Sequence, residues 1–230
     1  VMLAGAVNAA DPLFVNMGFT HFGAYPTEDG GSRPLDANSQ GLVNGEGAAM
    51  FVLKRLEDAQ RDGDKIYAVI AGVGLANDGR GRHPLTPNPR GQLLALERAY
   101  TDILPSDVQY VECHASGTPV GDRTEINSMA EFFGQHGAAP LIGSVKSNVG
   151  HLLTVAGSAS MLKAILSLQH GVIPPTVGVQ HAMTSTNGRI GAAQVVVDST
   201  PFPAASIRRA GINAFGFGGV SAHLILEQPT

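Results

Sequence analysis

Lys146 and His151 stand five residues apart in the stretch Gly143-Ser-Val-Lys-Ser-Asn-Val-Gly-His151. The stretch is too rich in Gly, Ser and Asn to be the middle of a helix. Apolar Leu141, Ile142 and Val145 lead into it as a strand, and Leu152 to Leu168 follow it as a helix. Such a strand-to-helix junction is where α/β folds gather their chemistry, because backbone donors and the positive end of the helix converge there. An ammonium and an imidazole held at that point could work on an anion or on negative charge that develops during a reaction. On these residues alone, a solvated loop with two incidental polar side chains fits equally well.

Two more turns have the same character, each following an apolar run: Cys113-His-Ala-Ser-Gly-Thr118 and Phe215-Gly-Phe-Gly-Gly219. Imidazoles donate through a ring nitrogen, a lysine supplies a positive field, and a glycine loop exposes backbone N–H groups. Together these suit a reaction in which an oxyanion or enolate must be held. For any single histidine at a strand end, a satisfied hydrogen-bonding role is the simpler reading; the recurrence in three turns favours chemistry. Cys113 beside His114 resembles a nucleophile–base pair, but successive strand side chains point to opposite faces. Cys113 is therefore expected to be a small buried thiol.

The remaining signals exclude more than they assign. No His or Cys spacing fits a zinc site, and His21, His83, His136, His170, His181 and His223 are scattered, so no metal is expected. There is no phosphate loop, dinucleotide fingerprint or Gly-x-Ser-x-Gly elbow. The arginines of the Arg80 to Arg90 loop, with His83, read first as a solvated turn and second as a surface that could meet an acidic partner. A net charge of −4 without a basic block lacks the footprint of a nucleic-acid binder. One Cys in 230 residues rules out an intrachain disulfide framework and fits a reducing, cytoplasmic setting, and no apolar run reaches membrane-spanning length.

The elements that must position these turns follow from apolar patterning. Val1 to Val7 reads as a buried strand of a parallel or mixed sheet, Pro12 to Asn44 as a long irregular excursion, Gly47 to Leu53 as a strand and Glu57 to Asp62 as a short helix. Ile66 to Ala76 is a strand whose Gly72 and Gly74 imply a bend or close packing. Helices are expected over Gln92 to Asp102 and Asp122 to Phe133, the second with Asp122 as N-cap. Strands are expected at Val108 to Glu112, Ala193 to Val197, Ala210 to Ala214 and Ala222 to Leu226. This is a layered α/β fold in one compact body. The apolar opening at Val1, without a starting Met or cap, is what a piece of a longer polypeptide would show.

Read together, the motifs resemble the β-ketoacyl synthases, the condensing enzymes of fatty-acid and polyketide synthesis. Glu112-Cys-His-Ala-Ser-Gly-Thr-Pro-Val-Gly-Asp122 is similar to the family's Glu-Ala-His-Gly-Thr-Gly-Thr-x-x-Gly-Asp. Gly143 to His151 matches its lysine–histidine motif, and Asn213-Ala-Phe-Gly-Phe-Gly-Gly-Val-Ser-Ala-His223 its closing glycine motif. The Val1 to Asp11 strand and the Gly45 to Asp58 segment fit as well. The resemblance implies a thiolase-like fold, an α-β-α-β-α layered sandwich of which this chain holds about the second half. Residues 1–62 would end the N-terminal half and 63–230 would form the C-terminal half.

It also implies roles. His114 and His151 would stabilise the enolate formed as a malonyl thioester loses CO2. Lys146 would orient and polarise them with Glu125 as its partner, and Asn148 would support them. Ser116 and Thr118 would bind a phosphopantetheine arm. Phe215, Phe217, Gly218 and Gly219 would line the substrate, with Phe217 as gate and oxyanion donor. No bound cofactor is implied, since the substrate rides on an acyl carrier protein; that carrier, the other half of the domain and a second copy in a homodimer are the implied partners. The nucleophilic Cys would lie upstream of Val1. Departures at Ala115, Ser116, Leu152 to Val155 and Val220-Ser221 fit a specialised subfamily such as polyunsaturated-fatty-acid-type synthases. The competing readings are a non-catalytic partner of the chain-length-factor type, disfavoured by retention of both histidines and Lys146, and another thiolase-fold condensing enzyme.

Overall fold

The computed structural model describes residues 1–9, 12–28, 31–79 and 86–229. The basic loop from Arg80, with His83, falls largely outside them, as does the Asp11 end of the first expected strand. In chain order the elements are β1 (Met2–Asn8), α1 (Pro12–His21), β2 (Gly47–Leu53), α2 (Leu56–Asp62), β3 (Val69–Asn77), α3 (Pro89–Ala99), β4 (Tyr110–Glu112), α4 (Pro119–Gln135), β5 (Leu141–Gly143), α5 (Lys146–Val149), α6 (Ala156–His170), β6 (Val172–Ile173), β7 (Thr200–Pro201), β8 (Arg209–Gly216) and β9 (Val220–Glu227).

A five-stranded mixed sheet in the order β3-β9-β8-β4-β5 forms the centre. β4 runs parallel to both β5 and β8, whereas β9 is antiparallel to β8 and to β3. Leu96, Ile126, Met129 and Phe133 of α3 and α4 pack on one face with Val111 and Ile225. Ala164, Ile165 and Leu168 of α6 pack on the other with Tyr110, Ile212 and Leu226. The far side of α6 and the turn before it meet the β1–β2 ribbon through Leu152, Val155 and Ala156 against Ala6 and Ala49. Four layers result, in the order ribbon, α6, sheet, α3 with α4.

Close approach in these layers is where glycine is required. A Cβ on Gly74 would stand 1.8 Å from the Ala95 carbonyl oxygen, so α3 can lie on β3 only because that side chain is absent. A register shift between Ile70 and Gly72 bends the same strand, which fulfils the expectation for this glycine pair. α3 opens with Asn88 accepting the Arg90 N–H and Pro89 in the first turn.

Several expectations are corrected. β1 is not buried: it pairs antiparallel with β2 alone, and Met2 and Leu3 are 67% and 66% exposed. The excursion after Pro12 begins with α1, whose continuously apolar Leu13-Phe-Val15 gives no 3.6-residue alternation to read. Val195 forms an isolated bridge to Ile142 after a single 3-10 turn, Ala192–Gln194, rather than a strand. α4 starts at Pro119 with Thr118 at the N-cap, so Asp122 is inside the helix and serves another purpose.

Candidate active site

Parallel pairing decides where the three turns meet. Glu112 is in register with Gly143 on β5 and with Ile212 on β8. The chain therefore leaves β4 and β5 side by side, and β8 continues past them to Phe215, all at one end of the sheet.

Buried carboxylates hold the first two turns by their backbone. Glu125 on α4 accepts the N–H of His114 on Oε1 and that of Ala115 on Oε2, each at 2.7 Å. Asp122 accepts the N–H of Gly117 at 3.1 Å and that of Leu35 at 3.0 Å. Burial pushes Asp122 up to about 7. Glu112 accepts the Val145 N–H on Oε1 at 2.5 Å, and its Oε2 takes the Tyr110 hydroxyl at 2.5 Å with Lys163 Nζ at 2.9 Å. That last contact is an ion pair whose angle lies outside hydrogen-bonding geometry.

His151 is held from both sides. Its N–H donates to the Val43 carbonyl at 2.7 Å, and its own carbonyl accepts the Gly45 N–H at 3.0 Å. The Leu153 N–H donates to His151 Nδ1 at 3.0 Å. Nδ1 must therefore be the acceptor, and the neutral ring carries its proton on Nε2. The His114 and His151 rings meet edge-on with centroids 5.3 Å apart, and Phe215 lies 5.8 Å from His114.

Charge follows from burial. Desolvation, then the nearby Lys146 charge, holds His151 down at about 3. The same two causes, with His151 itself, hold His114 well below the usual histidine range. Both rings are neutral near pH 7 and can donate. Burial also lowers Lys146, against the opposing pull of Glu112, Glu125 and Asp122 in that order. Two neutral imidazoles beside a buried ammonium form a place where negative charge on a substrate oxygen would be favoured.

The structure thus brings together His114, His151, Lys146 and Phe215. Glu125 and Lys146 attract each other without an ion-pair contact within 4 Å, and the Glu125 oxygens accept from the backbone of His114 and Ala115 and from Asn213. Ser116 and Thr118 follow His114 in the same turn and bond each other at 3.0 Å. Asn148 is exposed and accepts only from its neighbour Ser147, so it does not reach the histidines. Phe217 is 60% exposed and packs on Phe19 of α1 at 5.6 Å rather than on the pair. Gly218 and Gly219 adopt positive φ in the β8–β9 turn, where the Gly219 carbonyl accepts the Asp78 N–H. Cys113 is fully buried, and burial with nearby carboxylates pushes its thiol well up, the opposite of an activated nucleophile. Sequence reasoning missed Glu112, Asp122 and Asn213 as turn holders. A carboxylate at the last residue of a buried strand was the available signal.

Comparison with known proteins finds matches along much of the chain. Residues 1–59 match the family model described as beta-ketoacyl synthase, N-terminal domain, and residues 67–180 match beta-ketoacyl synthase, C-terminal domain. The chain is 45% identical to a polyunsaturated fatty acid synthase of Thraustochytrium over 99% of its length and 11% of the relative's. It is 43% identical to a phenolphthiocerol/phthiocerol polyketide synthase of Mycobacterium bovis over 98% of its length and 12% of the relative's. The chain thus spans about a tenth of these curated relatives. Among solved structures, a PfaC keto synthase–chain length factor superposes with a TM-score of 0.96 at 54% identity, covering all of this chain and 25% of that one. The module 6 ketosynthase of the Bacillus subtilis 168 bacillaene synthase superposes at 0.92 with 31% identity, covering 99% and 42%. These likenesses carry the layered thiolase-like fold.

Proposed function

The chain belongs to the β-ketoacyl synthase family, and from that premise we propose that it contributes the decarboxylating centre of a ketosynthase catalysing decarboxylative Claisen condensation. The observation that supports this most is the edge-on pair of neutral imidazoles, His114 and His151, 5.3 Å apart beside buried Lys146. A malonyl thioester seated against them breaks its bond to the carboxylate carbon. CO2 departs, and the bonding electrons move onto the thioester oxygen as an enolate. The His151 Nε2–H and the His114 ring take up that charge as donors, and the Lys146 field lowers its energy. The enolate carbon then attacks an acyl thioester on a cysteine, whose sulfur leaves as thiolate.

That cysteine is placed by this reading outside the present sequence, since Cys113 faces the core. Ser116 and Thr118 are assigned to the pantetheine arm of a carrier-bound substrate, and an acyl carrier protein to its delivery. The bare β1–β2 and α1 surface is assigned to the rest of the domain and to a second copy in a homodimer. A protein acting only as a chain-length factor would not need both imidazoles kept neutral and adjacent.

Malonyl-coenzyme A decarboxylation by the complete enzyme tests the assignment. His151→Ala is expected to reduce kcat by more than about a hundredfold. Undiminished CO2 release by that variant would remove the enolate role.

A further inference from the structure

Asn213 and His223 are direct partners across the β8–β9 pairing, with their side chains on the α3 and α4 face. Asn213 Nδ2 donates to Glu125 Oε1 at 2.7 Å, the same oxygen that accepts the His114 N–H. With the amide nitrogen facing a carboxylate, Asn213 Oδ1 must accept, and it lies 2.6 Å from His223 Nδ1. His223 therefore carries its proton on Nδ1, and Nε2 accepts from the Tyr100 hydroxyl at 3.3 Å. The Tyr100 ring also stacks on His223 at 5.4 Å. Asn213 Nδ2 also reaches Met129 Sδ at 3.4 Å, and the order of bonds runs from the C-cap of α3 through both strands to α4 and the His114 turn.

The fold makes room for this chain of bonds. Gly211 occupies the position where a Cβ would stand 2.8 Å from His223 Cε1. His223 has no exposure and Asn213 almost none. A buried polar group keeps such company only where every bond is made, and a fully satisfied network fixes one arrangement of its members.

We infer that Asn213 and His223 are positioning residues that act through Glu125 to fix the His114 turn, with Tyr100 setting the orientation of His223. The inference rests on the proposed decarboxylation, in which the His114 ring must meet the developing oxyanion. Displacement of about 1 Å at such a centre costs on the order of a hundredfold in rate.

The test uses the complete enzyme with malonyl-coenzyme A as probe, and hydrogen exchange of the peptide carrying residues 113–118 as a readout independent of activity. His223→Leu is expected to lower kcat about a hundredfold with KM unmoved, and to speed exchange in that peptide but not in α6. His223→Asn, whose amide nitrogen overlays Nδ1, restores both, whereas His223→Gln, whose amide overlays Nε2, does not. Tyr100→Phe acts in the same direction and more weakly, and serves where the leucine variant does not fold. Equal behaviour of the Asn and Gln variants, or unchanged exchange at 113–118 in Tyr100→Phe and His223→Gln, overturns the inference. Unsubstituted enzyme that releases no CO2, with the exchange pattern as expected, overturns the proposed function and leaves the positioning role standing.

Discussion

Lys163 Nζ lies 2.9 Å from Glu112 Oε2, while the other oxygen of that carboxylate accepts the backbone N–H of Val145, immediately before Lys146. Both side chains of the pair are nearly without exposure. A charge on α6 thus balances the carboxylate that holds the Lys146 turn, and Glu112 is also the strongest favourable charge acting on buried Lys146. Two lysines share one buried carboxylate, one as its ion-pair partner and one through the turn it supports.

Removing the balancing charge is expected to cost more than it would at a surface. Lys163→Met leaves Glu112 buried without its cation, an omission that typically destabilises by about 3 kcal/mol. The double variant Glu112→Gln with Lys163→Met removes both charges and should recover part of that loss. Denaturant unfolding of the single and double variants checks the order. A Lys163→Met variant as stable as the parent would show that the pair carries no such burden.

The pH dependence of decarboxylation has a worked sign. His114 and His151 are held low, His151 at about 3, so both stay neutral as pH falls through the ordinary histidine range near 6.5. The two imidazoles therefore give no acid limb near 6.5, and any inflection close to neutrality belongs to Asp122, which is held up at about 7. Lys146 is lowered by burial, so it loses its proton, and the rate falls, at a pH below that of an ordinary lysine near 10.4. Glu112→Gln takes away the largest charge that opposes this lowering, and should move the alkaline limb to still lower pH. Initial rates from pH 5 to 10 on malonyl-coenzyme A read both effects.

Much of this arrangement is legible in the residues alone, for identifiable reasons. The Gly143 to His151 and Cys113 to Thr118 turns announce themselves by residue type, and the strand that leads into the first of them is foreshadowed by apolar Leu141 and Ile142. What stays hidden depends on contacts distant in sequence. The resemblance names Glu125 as a partner of Lys146, but nothing in the sequence shows that its two oxygens also accept the backbone N–H groups of residues 114 and 115. His223 reads as one of several scattered histidines until its cross-strand pairing puts it beside Asn213. Phe217 follows its motif faithfully but packs against Phe19 of α1, a contact between residues 198 positions apart that no local pattern announces.

Gly150 offers a test of how tightly His151 is held. It adopts φ 75 and ψ −178, a region open essentially to glycine alone, and a Cβ there would stand 2.9 Å from the Val43 carbonyl oxygen. That carbonyl is the one receiving the His151 N–H. Gly150→Ala must therefore either strain the turn, at about 1–3 kcal/mol, or part His151 from its anchor. A drop in thermal stability together with a fall in malonyl decarboxylation is the expected pair of results. Full activity with unchanged stability would mean that the turn relaxes without moving the ring.

The polypeptide Val1–Thr230 by itself is expected to condense nothing and to associate with itself. Its one cysteine is buried with a thiol pushed well up, so no sulfur is available to carry an acyl group. Leu3 and Val7 of β1, Met50 and Val52 of β2, and Phe14 and Met17 of α1 all stand more than half exposed. Exposed apolar residues on this scale, beside a strand with an open edge, favour association. Light scattering and a thioester condensation assay on the isolated polypeptide check the two halves of the expectation. A monodisperse monomer would show that the ribbon tolerates water, and product from an acyl thioester with malonyl-coenzyme A would require a nucleophile other than cysteine within these 230 residues.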